Sequence, residues 1–306
     1  MVRPIAMVRP IAFWLASCAA ASAAPQNVSA ALGAATPPQT ADTAWPLGKA
    51  AFSFFPMAGS DRRKTIETEV VRGRVWTHEQ IQGLFNVHVP VRQTVIKLGD
   101  GDDAYLWVHN PVAPTGEALR MMRALEASHG PVRHIVLGTL GLEHKAMAGP
   151  FSRKFQDATV WLLPGQWMFP ITFPPNFVGL GDGFVRARYL RPYSVGAVDD
   201  WEDEPPVWAD EIEYELLGPL KFRTIGAFGE GAFFHKASRT LLVTDTIVKV
   251  TAEPPAVVAE DARALLFHAR DHISEEVRDT EEVRRKGWRR MNLFGLVFYP
   301  SSVENR

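Results

Sequence analysis

VRQTVIKLGDGDDAYLWVHNPVAPTGEALRMMRALEASHGPVRHIVL, residues 91–137, decides the fold class. Val91 to Leu98 alternates apolar and polar residues, the period-two pattern of a half-buried strand. Asp100–Gly101 is a turn signal, and Ala104 to Val108 (AYLWV) is the returning strand. Pro114–Thr115 opens a helix with Thr115 as its N-cap. Ala118, Met121, Met122 and Leu125 form its apolar stripe, and Gly130–Pro131 stops it. Val132 to Leu137 (VRHIVL) is a short, mostly apolar strand. Moving outward, a helix is expected around Met147 to Phe155 and a strand at Ala158 to Leu163 (ATVWLL). The order β-β-α-β-α-β implies a layered α/β domain.

The remainder is less regular. Residues 164–206 are rich in Pro, Gly and aromatics and read as an irregular excursion. An acidic loop (Asp199 onward, with DDWEDE) leads into a helix expected near Trp208 to Leu217. Ala232 to Phe234 and Thr240 to Val248 read as a hairpin with Lys236 to Arg239 at its tip, and a helix from about Val257 to Val277 follows.

Composition narrows the function classes. Of 306 residues, 46% are apolar and 22% charged, and 33 basic against 34 acidic residues leave a net charge of −1. No global field favours nucleic acid as a partner. The single cysteine, Cys18, permits neither an internal disulfide nor a cysteine metal cage. The first acidic residue is Asp42; Arg3 and Arg9 precede the apolar run IAFWLASCAAASAA, Ile11 to Ala24. That is the layout of a targeting segment, 1–24, and it is shorter than a membrane span. A Pro/Ala-rich linker, 25–51, and a globular domain, 52–306, follow.

The segments IQGLFNVHVPVRQTVIKL, LWVHNPVAPTGEAL, HGPVRHIVLGT, LEHKAMAGPFSRKF, ATVWLLPGQWMFP, FFHKASRTLLVTD and RRKGWRRM carry a resemblance. The chain resembles an uncharacterised domain-of-unknown-function family of photosynthetic organisms, related to the metallo-β-lactamase-like hydrolases. The resemblance runs from roughly Trp45 to Tyr299. It implies an αββα four-layer sandwich, here with its C-terminal part incomplete, because the family continues past KGWRRM to a further histidine. It also implies a plastid destination, with a secretory route as the alternative. Active members of the superfamily bind metal through a His-x-His-x-Asp-His loop after a strand. This chain has no His-x-His, and the loop after VRHIVL offers His144 alone.

The resemblance therefore implies a degenerate metal centre. His144, His235 at the hairpin and Asp245 at the end of TLLVTD are its candidate ligands, for one zinc or iron ion. The leading expectation is a non-hydrolytic binding or accessory protein; the alternative is a metal-dependent hydrolase with a reduced mononuclear site. Structural roles for the same residues remain open, His144 packing its loop and Asp245 bonding turn amides. Trp161, Trp167 and Phe169 are candidates for lining a small-molecule pocket, or for stapling a lid onto the core. His268 and His272 form an i, i+4 pair on the expected last helix, but lack the glutamate of H-E-x-x-H and read as a solvated flank. GLGDG, 179–183, lacks the strand–helix context of a phosphate loop and reads as a turn. Arg284, Arg285, Lys286, Arg289 and Arg290 precede the apolar segment Met291 to Tyr299, which reads as core or as a peripheral membrane contact.

Overall fold

The computed structural model describes residues 41–44, 63–84, 87–166, 187–191, 205–221, 227–272 and 274–296. The expected targeting segment, most of the linker, GLGDG, Trp167 and Phe169 lie outside the described residues.

A seven-stranded sheet runs in sequential order: β1 Ile66–Val71, β2 Val75–Leu84, β3 Val87–Leu98, β4 Tyr105–His109, β5 Val132–Leu137, β6 Thr159–Leu162 and β7 Ala187–Tyr189. β1 to β4 pair antiparallel, and β4 to β7 pair parallel. Two helices make the crossovers that parallel pairing requires from β4 to β5 and from β5 to β6: α1, Gly116–His129, and α2, Leu142–Ser152. Thr115 caps α1 as its sequence predicts, its side chain accepting from Ala118 N at 3.2 Å. A second sheet holds β8 Ile212–Lys221, β9 Ala227–His235 and β10 Thr240–Leu242, ordered β10-β9-β8. Three helices close the described chain: α3 Ala256–Ala259, α4 Arg263–Ala269 and α5 Glu281–Leu296. None of the described helices is long and apolar enough to cross a membrane.

Alternation along β4 to β6 builds the layers. Leu106, Val108, Ile135, Leu137, Val160 and Leu162 face α1 and α2, where Met122, Leu125, Ala148 and Phe151 complete one core. Tyr105, Trp107, Val136 and Trp161 point the opposite way, into a core shared with Ile212, Tyr214 and Phe233 of the second sheet and with Trp208. The layered α/β class holds: helices, large sheet, small sheet. The C-terminal helices form a further core against Ile81 and Val89 through Val257, Val258, Leu265, Trp288 and Met291.

Three expectations are corrected, and the basic C-terminal run finds its place. Trp208 to Leu217 is not helical, because Ile212 and Tyr214 are buried while Glu213 and Glu215 are exposed, which is a strand's period. Val257 to Val277 is not one helix: it breaks between α3 and α4 and ends at Ala269, so His268 and His272 do not share a helix. The hairpin's second strand stops at Leu242, well short of Val248. The basic run and Met291 belong to α5, with Trp288 and Met291 buried. Its charges turn to neighbouring acids and carbonyls. Arg284 bonds Asp279, Arg285 bonds Glu253, Lys286 bonds Asp271, and Arg290 bonds Asp271 and the Ala269 and Arg270 carbonyls. α5 also lies very close to α4: a Cβ on Gly287 would fall 1.9 Å from the Leu265 carbonyl oxygen.

Trp208 is the hub between the sheets. Its ring meets those of Trp107 at 5.7 Å, Trp161 at 5.8 Å, Tyr214 at 5.3 Å and Phe233 at 6.3 Å. Trp208→Ala removes the central ring of this layer, so a loss of roughly 3–5 kcal/mol is expected in urea denaturation. Trp161 belongs to the same layer, with its Nε1 donating to His134 Nδ1 at 3.2 Å. Burial, then the charges of Arg133 and Arg188, push His134 down to about 4 from its ordinary 6.5. Its neutral form is thus favoured by folding: the stability it contributes is complete above pH 6.5 and is lost as pH falls through about 4. Protonation also removes the acceptor that Trp161 uses. The stability difference between wild type and His134→Gln should fall by on the order of 3 kcal/mol between pH 6.5 and 4. A difference that stays flat with pH would show that His134 is not held neutral by the fold.

Candidate metal centre

Three chain segments meet at the C-terminal ends of β4 and β5, the end of an open α/β sheet where ligands gather. The first is the turn after β4. His109 ends the strand and Asn110 follows in the left-handed region, at φ 47°, a conformation that Asn tolerates better than most residues. Asn110 Oδ1 accepts from Gly138 N at 3.0 Å, and its Nδ2 donates to Thr244 Oγ1 at 2.9 Å. One side chain thus ties all three segments together.

The second segment joins β5 to α2. Gly138 O accepts from Gly231 N at 2.8 Å, and Leu140 N donates to Gly229 O at 3.0 Å, fastening the loop to β9. Gly141 precedes the first turn of α2, which carries Glu143 and His144. The sequence reading placed His144 in a loop; the helix begins earlier than expected, and its first turn fixes both side chains.

The third is the segment after β10. The buried Glu230 carboxylate accepts from the backbone N–H groups of Thr244 at 2.5 Å, Asp245 at 2.7 Å and Thr246 at 2.8 Å. This is why the strand ends early. The chain is bent over Glu230 and delivers Asp245 to the centre.

One ligand atom each from Glu143, His144 and Asp245 lies within 4.8 Å of the other two. Glu143 and His144 are buried and Asp245 is half-buried. Desolvation, then the carboxylates of Glu143 and Glu230, hold Asp245 well above the usual carboxylate range. Burial lowers His144 against the opposing pull of Glu143 and Glu230, which favours the neutral imidazole that a metal requires. Lys145, buried in the next position of α2, is pushed down to about 7 by desolvation, opposed by Glu143. His109 is pushed to about 3 by burial and by His144, and its Nε2 has no hydrogen-bond partner among the described residues. Gly138 gives that ring its room, since a Cβ there would lie 2.6 Å from His109 Nε2 and 2.7 Å from the Phe233 ring.

Two of the three ligands expected from sequence, His144 and Asp245, come together. His235 does not. Its register partner on β10 is Thr240, whereas Asp245 is bonded to Glu230. His235 is therefore five residues from that point along β9, roughly 16 Å at a strand's rise per residue. There its Nδ1 lies 2.6 Å from Ser238 Oγ. Trp161 lies in the core between the sheets, not at the centre. Glu143, His109, Asn110 and Glu230 escaped the sequence reading. For Glu143 a signal was present, a carboxylate beside His144 ahead of a helical stretch.

Residues 72–306 match a family described as Domain of unknown function (DUF4336), and the chain belongs to that family. No curated protein matches the chain. Among solved structures, it is similar to a metallo-beta-lactamase from Pontibacter korlensis, at 10% identity over 66% of this chain and 83% of that one, with a TM-score of 0.38. It is also similar to the DIM-1 metallo-beta-lactamase, at 11% identity over 66% and 81% of the two chains, with a TM-score of 0.40.

Glu230→Gln tests how the third segment is held. A glutamine keeps one acceptor oxygen and turns its NH₂ toward backbone N–H groups. The expected cost is about 1–3 kcal/mol. Amide exchange at 244–246 should accelerate while that of β5 is unchanged, as read by hydrogen-exchange mass spectrometry. Exchange that stays slow at 244–246 would mean that the segment is held by other contacts.

Proposed function

We propose that this chain is a metal-binding domain of the metallo-β-lactamase-like kind, with one ion held by Glu143, His144 and Asp245, acting as a binding or accessory protein. The observation that carries this reading is the convergence of those three side chains within 4.8 Å. The donor set fits a metal. Bonds of ~2.0–2.2 Å from one ion reach all three atoms after modest tightening. Two carboxylates and one neutral imidazole suit zinc, iron(II) or manganese better than a soft ion. The raised Asp245 supports the same reading, because carboxylates crowded out of water call for a cation.

The roles of the chain's own residues follow from their contacts. Glu143, His144 and Asp245 bind; Asn110 and Glu230 orient the segments that carry them. His109 contributes a neutral ring beside His144. A bound divalent ion supplies Lewis acidity and lowers the pKa of a bound water to ~7.

A second reading, a metal-dependent hydrolase with a reduced mononuclear site, is favoured by the small number of protein donors. Three leave coordination positions for water or substrate.

The test is elemental analysis of protein made without a metal-binding tag. About one zinc, iron or manganese per chain is expected in wild type, lost in His144→Ala and Asp245→Asn and retained in His235→Ala. Protein free of metal, or metal indifferent to the first two substitutions, overturns the reading. Hydrolysis of chromogenic ester, phosphodiester or β-lactam substrates, abolished by Asp245→Asn, would favour the second reading over the first.

A further inference from the structure

The run Thr246 to Thr251 (TIVKVT) has a strand's composition, β-branched at five of six positions. It is nonetheless no strand: β10 ends at Leu242, and the backbone N–H groups of 244–246 are taken by Glu230. Its apolar side chains stand in water, Ile247 being 65% exposed, Val248 55% and Val250 43%. The run is pinned at both ends. Glu230 holds its start, the Thr251 carbonyl accepts from Trp288 Nε1 at 2.9 Å, and Arg285 bonds Glu253 just beyond. A single exposed valine needs no account, but three large apolar side chains within four consecutive residues, held in place, mark a contact surface.

A fourth such residue lies across β9. Leu217, 44% exposed, is the register partner of Glu230 on β8. Register partners set their side chains on one face of a sheet, with Cβ atoms about 5 Å apart. Glu230 therefore has Leu217 on one flank and the run on the other, with Asp245 N and Thr246 N at 2.7 and 2.8 Å from its Oε2. Asp245 belongs to the candidate centre and precedes Ile247 by two residues, roughly 7 Å of extended chain. The apolar surface adjoins the centre.

Its chemistry states what it takes. The four side chains are aliphatic and offer no hydrogen bond, so contact is rewarded only by removing hydrocarbon from water. Its extent suits the arm of a small ligand, far below the about 20–30 residues a side of a stable protein interface. The charges beside it are positive: the cation proposed for the centre, and Lys249, which lies between Val248 and Val250 and makes no ion pair among the described residues. Hydrocarbon next to positive charge matches the two ends of an aliphatic carboxylate.

We propose that Leu217, Ile247, Val248 and Val250 form an apolar shelf beside the candidate centre, and that the ligand bound there is an aliphatic carboxylate, its head at the ion and its chain along the shelf. The head group rests on the metal reading above; the shelf does not.

The experiment is isothermal titration calorimetry of the full chain, zinc-loaded and metal-free, with acetate, butyrate, hexanoate and octanoate. In zinc-loaded wild type, affinity is expected to rise roughly twofold per methylene, since full burial gives about fourfold and a shelf covers one side of the chain. The increment reads the shelf, and the level common to the whole series reads the ion. Ile247→Ser combined with Val248→Ser, both at exposed positions, should flatten the series while acetate binds as before. Val70→Ser, at an exposed apolar position of β1 on the edge of the large sheet, should leave the series unchanged. Removing zinc should weaken every member by a common factor. A flat series in wild type, or a slope that persists in the double variant, overturns the shelf whatever the metal content. A series indifferent to zinc overturns the head-group assignment. Should the chain take up no metal, the metal reading fails on its own, and the slope in metal-free protein still decides the shelf.

Discussion

Two backbone hydrogen bonds, Gly231 N to Gly138 O and Leu140 N to Gly229 O, carry the loop after β5 across to the small sheet. The geometry of the candidate centre depends on them. They set Thr139 opposite Glu230, so the carboxylate that bends the segment after β10 stands beside the segment that starts α2. Main chain can approach main chain here because Gly138 carries no side chain in the space taken by His109 and Phe233. The aromatic layer around Trp208 holds the sheets face to face elsewhere, but by area, which tolerates small slips. The two amide bonds tolerate none.

What the sequence made legible was period. The stretch from 91 to 137 gave its strands, its helix and the Thr115 cap nearly to the residue, because each strand there faces two cores and the helix has a clean stripe and punctuated ends. β8 was missed for a physical reason. Its outward positions carry Glu213 and Glu215, and a run of carboxylates hides the alternation of Ile212 and Tyr214. The last helices were merged because Val257 to Ala269 keeps an apolar content that no glycine or proline interrupts, while the break comes at Asp261, which bonds Arg263.

The candidate centre was half legible. His144 and Asp245 were placed by resemblance, and their meeting is a matter of register. His235 was added on the assumption that the hairpin continues to Val248, and the register ends that assumption three residues before Asp245. Glu143 went unseen because adjacency alone is a poor guide: adjacent positions on a helix point about 100° apart, and only tertiary placement brings its carboxylate and the His144 ring to one point. Glu230 is harder still: its partners are backbone N–H groups, which leave no trace in side-chain pattern.

The close approach at Gly287 bears on how the C-terminal helix finds its place. An amphipathic helix held by Trp288 and Met291 alone has several seatings of similar energy, one turn up or down, or rotated by a residue. The absent methyl allows only one: a rotation by one residue brings Lys286 or Trp288, and a shift by one turn brings Arg284 or Met291, against the Leu265 carbonyl. Gly287 thus acts as a keyway, and the position of the whole helix is indexed by a single missing carbon.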